Sequence, residues 1–320
     1  MSQPTNPAQG KQGPKPVIIV ISSHVMAGSV GNRAAAFALE RMGYQVWEVP
    51  TIMLPWHPGH GPSTRQIPDE DNFAQSLQDL ANHPDFANVT AVLSGYLGRT
   101  SQASAIAKLV DELKSANPDA LYLCDPVMGE ANGLYIPVET ATAIREQLLP
   151  RADIATPNRF EFAWLTNSEP TCNEDMMETA SSWPVAKSVI TSAFPMLKNA
   201  IGNLLLTPSP NDRTELDALL CEHQSLPNTP HGTGDLFSAL FLGHLLNIKN
   251  EEQSLKLASS GVFEVVARTV NIGEKDLALS TFQDRFMAPM AMVNLRKIDG
   301  KPKLATFRKG PKRPRPTSSE

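Results

Sequence analysis

The chain has 320 residues, of which 41% are hydrophobic and 19% charged, and its net charge is −5 at pH 7. This composition is typical of a globular enzyme with a full core, and the negative charge disfavours nucleic acid as the main partner. The apolar runs are shorter than the roughly 20 residues that span a bilayer, so we expect no membrane partner. No basic segment followed by an apolar run opens the sequence, and three cysteines lie far apart. We therefore expect a reducing, cytoplasmic location.

The two ends of the sequence differ in composition from the middle. Residues 1–15 are rich in Pro, Gln, Gly and Asn and lack apolar periodicity, which predicts a disordered N-terminal tail. From Asp299 onward Gly, Pro, Lys and Arg dominate. We interpret residues 299–320 as a basic tail that is solvated or, alternatively, binds anions or RNA. Residues 16–298 would then form one domain.

Strand and helix patterns alternate between the tails. The predicted strands cover residues 17–22, 44–49, 89–93, 121–124, 153–156, 185–191 and 203–207. The predicted helices cover residues 31–42, 70–82, 101–117, 138–149, 236–246, 251–269 and 277–296, and a long loop covers 50–68. Because the strands are apolar on both faces, this order predicts an α/β fold with a mainly parallel central sheet flanked by helices on both faces. In such sheets ligands bind beyond the carboxyl ends of the strands.

The most informative segment lies late in the chain. Gly232 and Gly234 flank Thr233 and are followed by an acid, Asp235, and by an apolar run typical of a buried helix. Glycine lets backbone N–H groups turn toward one point, and a helix start adds partial positive charge there. A carboxylate beside an anion site suits a base that takes a proton from a hydroxyl while the N–H groups stabilise a phosphoryl group in transfer. The segment therefore predicts a small-molecule kinase.

Two further acids follow predicted strands. Asp125 precedes Pro126 and either caps the loop or binds a metal or its water shell. Glu161 lies three residues after Asn158, so this pair is either a helix capping box or part of a phosphate-binding turn. Because Mg²⁺ prefers few carboxylates, several waters and substrate phosphates, Asp125 and Glu161 are candidate metal ligands, mainly through water.

The first strand end and the long loop hold the remaining candidates. Neither a P-loop nor a Gly-x-Gly-x-x-Gly motif is present. Ser23 is the residue best placed to hydrogen-bond a ligand at the first strand end. His57 and His60 lie in a loop rich in Pro and Gly, where ligand contact or exposure competes with a metal site. His231 precedes the glycine-rich turn and is expected only to shape it.

In this order, the motifs resemble those of the pyridoxal kinases of the ribokinase-like superfamily, over residues 17 to about 268. The resemblance rests on six segments: Ser-His-Val with Gly-x-x-Gly-Asn-x-Ala-Ala (23–35), Ser-Gly-Tyr-Leu-Gly (94–98), Cys-Asp-Pro-Val-Met-Gly (124–129), Thr-Pro-Asn-x-x-Glu (156–161), Thr-Ser (191–192) and Gly-Thr-Gly-Asp (232–235). The Ser-Gly-Tyr-Leu-Gly segment and the Gly-Asn-x-Ala-Ala turn indicate pyridoxal rather than a sugar as substrate.

The resemblance implies ATP-dependent phosphorylation of the 5-hydroxymethyl group of pyridoxal, pyridoxine or pyridoxamine, in a homodimer that uses Mg²⁺ and, as often in this family, K⁺. It implies that Asp235 is the base and that the N–H groups of Gly232, Thr233 and Gly234 stabilise the moving phosphoryl group. It places Ser23, Thr51, His57 and Tyr96 at the vitamin. The residues that it places along the ATP and Mg²⁺ are Asp125, Thr156, Asn158, Glu161, Thr191 and Ser192.

The sequence also departs from the family pattern. The lid loop, residues 56–61 (Trp-His-Pro-Gly-His-Gly), keeps His57 but has Pro58 and Gly59 where members commonly have threonine and its neighbour, so the preferred vitamer stays open. Ser192 stands where some bacterial members have lysine, which implies a different ATP contact. Two alternatives remain: a kinase for hydroxymethylpyrimidine or another small alcohol, and a non-catalytic protein that binds or stores the vitamin.

Overall fold

The computed structural model describes residues 16–212 and 215–298, so the predicted tails 1–15 and 299–320 lie outside the described residues. The strands are β1 Val17–Val25, β2 Gln45–Leu54, β3 Val89–Ser94, β4 Leu121–Cys124, β5 Gly129–Glu130, β6 Gly133–Leu134, β7 Ile154–Ala155, β8 Lys187–Ala193, β9 Ala200–Pro208, β10 Leu216–Gln224 and β11 Asn294–Ile298. The helices are α1 Asn32–Arg41, α2 Glu70–Ala81, α3 Gln102–Ala116, α4 Val138–Ala143, α5 Arg159–Thr166, α6 Asn173–Ala180, α7 Thr233–Ile248, α8 Glu251–Asn271 and α9 Gln283–Met287.

Within the described ranges, nine strands form one sheet in the order β2-β1-β3-β4-β7-β8-β9-β10-β11, while β5 and β6 form a small hairpin. The pairs from β2 to β8 are parallel, whereas β9, β10 and β11 pair antiparallel. The mainly parallel sheet is therefore confirmed, with an antiparallel extension at one edge. The parallel part matters for function because its strands end together.

The core lies in two layers, one on each face of the sheet. In β1 the side chains of Val17, Ile19 and Ile21 join the layer under α2 to α6, whereas Ile18 and Val20 join the layer under α1, α7, α8 and α9. This alternation follows from the two-residue period of a strand. Helices on both faces and a single domain are confirmed. No helix in the described part of the chain is both long and apolar enough to cross a lipid bilayer.

Several elements differ from the predictions, including β5, β6, α6 and β11, which were not expected. The predicted helix 277–296 is wrong: only Gln283–Met287 is helical, because Pro289 disfavours helical backbone at the residue before it, and the chain then forms β11. The strand β10 was not predicted, although its residues from Leu216 to Cys221 are mostly apolar. The strand β2 continues through Pro50 into the predicted loop. Proline has no N–H to donate, but β2 lies at the edge of the sheet, where one side of the strand has no partner that needs this donor.

Candidate active site

Side chains and turns from five strand ends meet the start of α7 at one edge of the sheet. The N–H of Asp125, after β4, donates to Ser94 O at the end of β3 (2.8 Å), and the N–H of Thr191, in β8, donates to Pro157 O after β7 (2.9 Å). The hydroxyl of Ser238, in α7, donates to Asp125. These bonds hold the strand ends and the helix start together, as the position of ligand sites in parallel sheets predicts.

Residues 232–235, here called the anion turn, begin α7. Gly232 caps the helix with φ 93°, and a Cβ there would collide with Ser29 O, so the turn requires glycine at this position. Gly234 is different, because a Cβ built on it would meet no atom within 4 Å. The first N–H groups of a helix have no partner within the helix. The open space beside Gly234 leaves room at the start of the helix, where an anion would bind.

Asp235 follows the two glycines and keeps part of its surface accessible. Burial raises the pKa of its carboxyl to about 6, against the opposing effect of the backbone N–H groups of Gly31 and of Asp235 itself. A carboxylate with such a pKa holds a proton more readily than an ordinary aspartate and is still ionised at neutral pH. Both properties suit a general base.

Asp125 is buried beside Asp235 and is tied to the strand ends. Ser238 Oγ donates to Asp125 Oδ2 at 2.9 Å, and Thr156 Oγ1 lies 2.9 Å from Ser238 Oγ. Hydrogen bonds from Ser238 and from Thr156 both favour the charged form of Asp125. Burial first, and then the charge of Asp235, raise the pKa of Asp125 to about 7. Asp125, Thr156 and Asp235 are thus brought together as the sequence motifs suggest.

Residues 158–161, here called the capping turn, use their polar atoms within the fold. The Asn158 side chain accepts the N–H of Glu161 (2.9 Å) and donates to Gly129 O (2.8 Å). One oxygen of Glu161 accepts the N–H of Asn158 (2.8 Å), and the other accepts the N–H of Met128 (3.0 Å) and, at 3.4 Å, that of Gly129. The capping box considered for this pair is therefore present. Burial, followed by the charge of Asp125, raises the pKa of Glu161 to about 8 despite these donors.

The three carboxyl groups of Asp125, Glu161 and Asp235 share one edge of the sheet. Among the described residues none of them forms a salt bridge with Lys, Arg or His, and all three pKa values are raised. Such a set fits a divalent cation, which would supply the missing positive charge. No group of three or more His, Cys, Asp or Glu in the ranges described is arranged to hold a metal by itself. A Mg²⁺ ion bound here would rely on water and phosphate oxygens for most of its shell.

The residues predicted at the vitamin differ in their exposure. Ser23 is half-buried and lies at a bulge, where the register of β1 against β2 shifts between Ser22 and His24. Thr51 has no exposed surface. Its hydroxyl donates to Tyr96 O at 2.7 Å and its carbonyl accepts from Gln102 at 2.8 Å. Thr51 therefore positions the segment of Tyr96, and direct contact between Thr51 and a ligand stays a prediction.

Tyr96 forms part of an aromatic pair that only the structure revealed. Its ring stacks against Tyr135, with centroids 6.5 Å apart and planes at 21°, and its hydroxyl accepts from Arg65 at 3.0 Å. Burial of the hydroxyl and the charges of Glu161, Asp125 and Asp235 raise the pKa of Tyr135, although half of the residue's surface is exposed. The hairpin of β5 and β6 turns at Ala131 and Asn132, and Tyr135 follows β6 directly.

His57 belongs to the lid loop and packs against His231, with ring centroids 4.0 Å apart. Its Nδ1 accepts the N–H of Gly59 at 3.1 Å, so its remaining proton is on Nε2. Burial and the neighbouring His231 lower the pKa of His57 to about 4. At neutral pH His57 is an uncharged ring that can donate a hydrogen bond through Nε2.

Thr191 and Ser192 lie at the end of β8, next to the capping turn. Thr191 forms an isolated bridge with Asn158. Ser192 is exposed and has a left-handed backbone, with φ 54°, a conformation that is uncommon for a residue other than glycine and often marks a functional site. Their contact with a nucleotide stays a prediction.

Comparison with known proteins agrees with this geometry. The sequence family described as phosphomethylpyrimidine kinase matches residues 69–280. The chain is 32% identical to the pyridoxal kinase PdxY of Granulibacter bethesdensis over 281 residues, which cover 85% of this chain and 96% of that protein. It is 33% identical to the pyridoxal kinase PdxY of Pseudomonas paraeruginosa over 279 residues, which cover 86% of this chain and 96% of the other.

A solved structure shares the whole architecture. The pyridoxal kinase from Leishmania donovani, in complex with ADP and pyridoxamine, superposes with a TM-score of 0.82 at 25% identity and covers 89% of this chain and 100% of its own. The assignment to a family rests on three findings: the mainly parallel sheet with a core layer on each face, the anion turn, and relatives more than 30% identical over most of their length. The chain belongs to the pyridoxal kinase family, within the wider group of phosphomethylpyrimidine kinases.

Proposed function

We propose that this protein transfers the γ-phosphoryl group of ATP to the 5-hydroxymethyl group of pyridoxal, pyridoxine or pyridoxamine. The observation that carries the proposal is Asp235, a partly accessible carboxylate with a pKa of about 6, placed directly after the glycines of the anion turn. Relatives named pyridoxal kinase and neighbours solved with ADP and B6 vitamers support the same substrates.

In the proposed reaction Asp235 accepts the proton of the substrate hydroxyl. The freed oxygen forms a bond to the γ-phosphorus of ATP while the bond to the β-γ bridging oxygen breaks, and ADP leaves with that electron pair. The N–H groups of Gly232, Thr233 and Gly234 stabilise the charge on the transferring oxygens, and one such donor contributes about 3 kcal/mol. When bound, Mg²⁺ supplies positive charge to the phosphates.

The residues proposed for ATP and Mg²⁺ act in two ways. Asp125 and Glu161 are the proposed metal ligands, mainly through water, and Thr156 and Ser238 orient Asp125 by hydrogen bonding. Asn158 holds the hairpin of Tyr135 through Gly129 O. Thr191 and Ser192 are proposed to contact the nucleotide. K⁺ is proposed as a second cation from the family alone, with no ligands assigned.

The proposed assembly and context follow the family and the composition. We propose a homodimer, which sedimentation would test, and a cytoplasmic location, which agrees with the unpaired Cys124, Cys172 and Cys221. We propose residues 16–298 as the kinase domain and 1–15 and 299–320 as tails.

The decisive experiment is a panel of alcohols with Mg–ATP, in which ADP release is measured and the products are identified by mass spectrometry. We expect phosphorylated B6 vitamers as the main products. Hydroxymethylpyrimidine belongs in the panel because the matching family is described as phosphomethylpyrimidine kinase. Faster turnover of the pyrimidine would assign the protein to that reaction instead, and binding of pyridoxal without ADP release would assign it to the non-catalytic class.

A further inference from the structure

The lid loop is attached to the rest of the site at two points. The first is the packing of His57 on His231, whose ring centroids are 4.0 Å apart with the planes tilted by 33°. The second is the bond between His60 Nε2 and Asp276 Oδ1 at 2.9 Å, in which the side chains are only 28% and 23% exposed. Gly59 lies between these points, where a Cβ would collide with His231 Nε2. The loop backbone therefore lies directly against the His231 ring.

Both attachment points lie close to the anion turn, one directly before it in the sequence and one in the loop after α8. His231 directly precedes Gly232. The N–H of His231 donates to Lys275 O at 3.1 Å, and His231 and Asp276 form a bridge. Asp276 also reaches the turn between β1 and α1, since a Cβ on Gly28 would lie 2.7 Å from Asp276 Oδ2. Three loops from different parts of the chain thus meet at one carboxylate.

The cluster is not arranged as a metal site. In the described part of the chain no three His, Cys, Asp or Glu side chains are placed to hold a metal ion, and the rings of His57 and His231 pack together with their planes at 33°. One ring nitrogen of His57 already accepts the N–H of Gly59, and His60 already bonds Asp276. These contacts hold the lid loop against the residues around His231 and Asp276.

We propose that His60, His231 and Asp276 form a clasp that holds the lid loop against the anion turn and so keeps water from the transferring phosphoryl group. The three are positioning residues, since they act through His57 and the anion turn. The clasp matters because an open site would let water compete with the vitamin for the phosphoryl group. This inference depends on the proposed kinase activity, but its first test does not.

The first test measures hydrogen exchange of residues 56–61 without substrates in His60→Ala, Asp276→Ala and the double variant. We expect exchange to be about three- to tenfold faster in each single variant, because one partly exposed charged hydrogen bond is lost. The double variant should match the singles, because both remove the same contact. Wild-type exchange rates in either single variant, or effects that multiply in the double, would overturn the clasp.

Asp85→Asn provides a matched control. Asp85 pairs with His83 at 4.0 Å before β3, at the opposite edge of the sheet, and should leave exchange of the lid loop unchanged. Gly59→Ala probes the other attachment point, since its Cβ would push the loop away from His231. It should accelerate exchange without removing the hydrogen bond between His60 and Asp276, and unchanged exchange in Gly59→Ala would contradict the close packing of the loop on His231.

The second test measures ADP released per vitamin phosphorylated at saturating substrates. We expect the ratio to rise above the wild-type value in His60→Ala and Asp276→Ala and to stay at that value in Asp85→Asn. Faster exchange with an unchanged ratio would overturn the role in excluding water. A wild-type protein that phosphorylates no vitamer would refute the proposed function, whereas the exchange data would still decide on the clasp.

Discussion

The anion turn and the capping turn both begin a helix at the same edge of the sheet, and both end in an acid, yet their polar groups are used differently. In the capping turn, the side chains of Asn158 and Glu161 hydrogen-bond to backbone groups of the protein itself. In the anion turn, Gly234 faces open space and Asp235 stays partly accessible. The capping turn is therefore built mainly for shape, and the anion turn mainly for chemistry.

Replacing the base should give the largest effect on activity. We expect Asp235→Asn to lower kcat by about 10²- to 10⁴-fold, because the hydroxyl loses its proton acceptor, with little change in the Kd for pyridoxal. Burial raises the pKa of Asp235, so the fold disfavours its charge, and the free energy of unfolding should stay the same or increase. Steady-state kinetics and urea unfolding would check this, and unchanged turnover would refute the assigned mechanism.

Replacing each glycine of the anion turn should have a different result: one variant should lose activity and the other stability. Gly234→Ala has room for its Cβ, so it should fold normally but lower kcat/KM about 10- to 100-fold by obstructing the N–H groups. Gly232→Ala needs a left-handed alanine that collides with Ser29 O and should lose roughly 1–3 kcal/mol of stability. Equal losses of stability in the two variants would contradict the distinction.

A pair of helix caps sharpens the comparison further. Asn158→Ala and Asn250→Ala each remove an asparagine cap, which costs about 1 kcal/mol of stability. Asn158→Ala should lose roughly another 1 kcal/mol, because its bond to Gly129 O also disappears, and should raise the KM for ATP. Asn250, which caps α8 away from the site, should leave KM unchanged. A normal KM in Asn158→Ala would confine the capping turn to stability.

A further expected effect is a pH dependence of stability from His57. Its pKa falls from 6.5 to about 4 on folding, so the unfolded chain binds more protons between these values, and stability falls as pH decreases from about 6.5 toward 4. Urea unfolding of wild type and His57→Gln should show that the wild type loses more stability over this range. Parallel pH profiles for the two proteins would exclude the buried, uncharged ring.

Much of the fold was predictable because its signals are local. The parallel strands are apolar runs that end in polar residues, and α1, α2, α3, α7 and α8 fall within a few residues of the predicted bounds. The errors lie where distant partners decide the outcome. β10 is a strand because it pairs with β9, and β11 is a strand because it pairs with β10; neither pairing follows from a short-range pattern.

The site divides in the same way. The acids and glycines of the motifs were identifiable because their chemistry is visible in the sequence, and the hydroxyl of Ser238, one helical turn after Asp235, could have been found from that spacing. The burial of Thr51 was not predictable, since it depends on Tyr96 and Gln102 from other segments. The contacts of His231 and Asp276 with the lid loop likewise join residues far apart in the sequence.

The last described strand has a consequence for the segment that carries the base. Residues 225–293, which include the anion turn, leave the sheet after β10 and return to it only at β11, beside the same strand. The five paired residues of β11 therefore close this long excursion, and shortening the chain before residue 294 would restore the conformational freedom that closure removes. The order of Asp235 thus depends on a strand that begins only at Asn294, far along the chain.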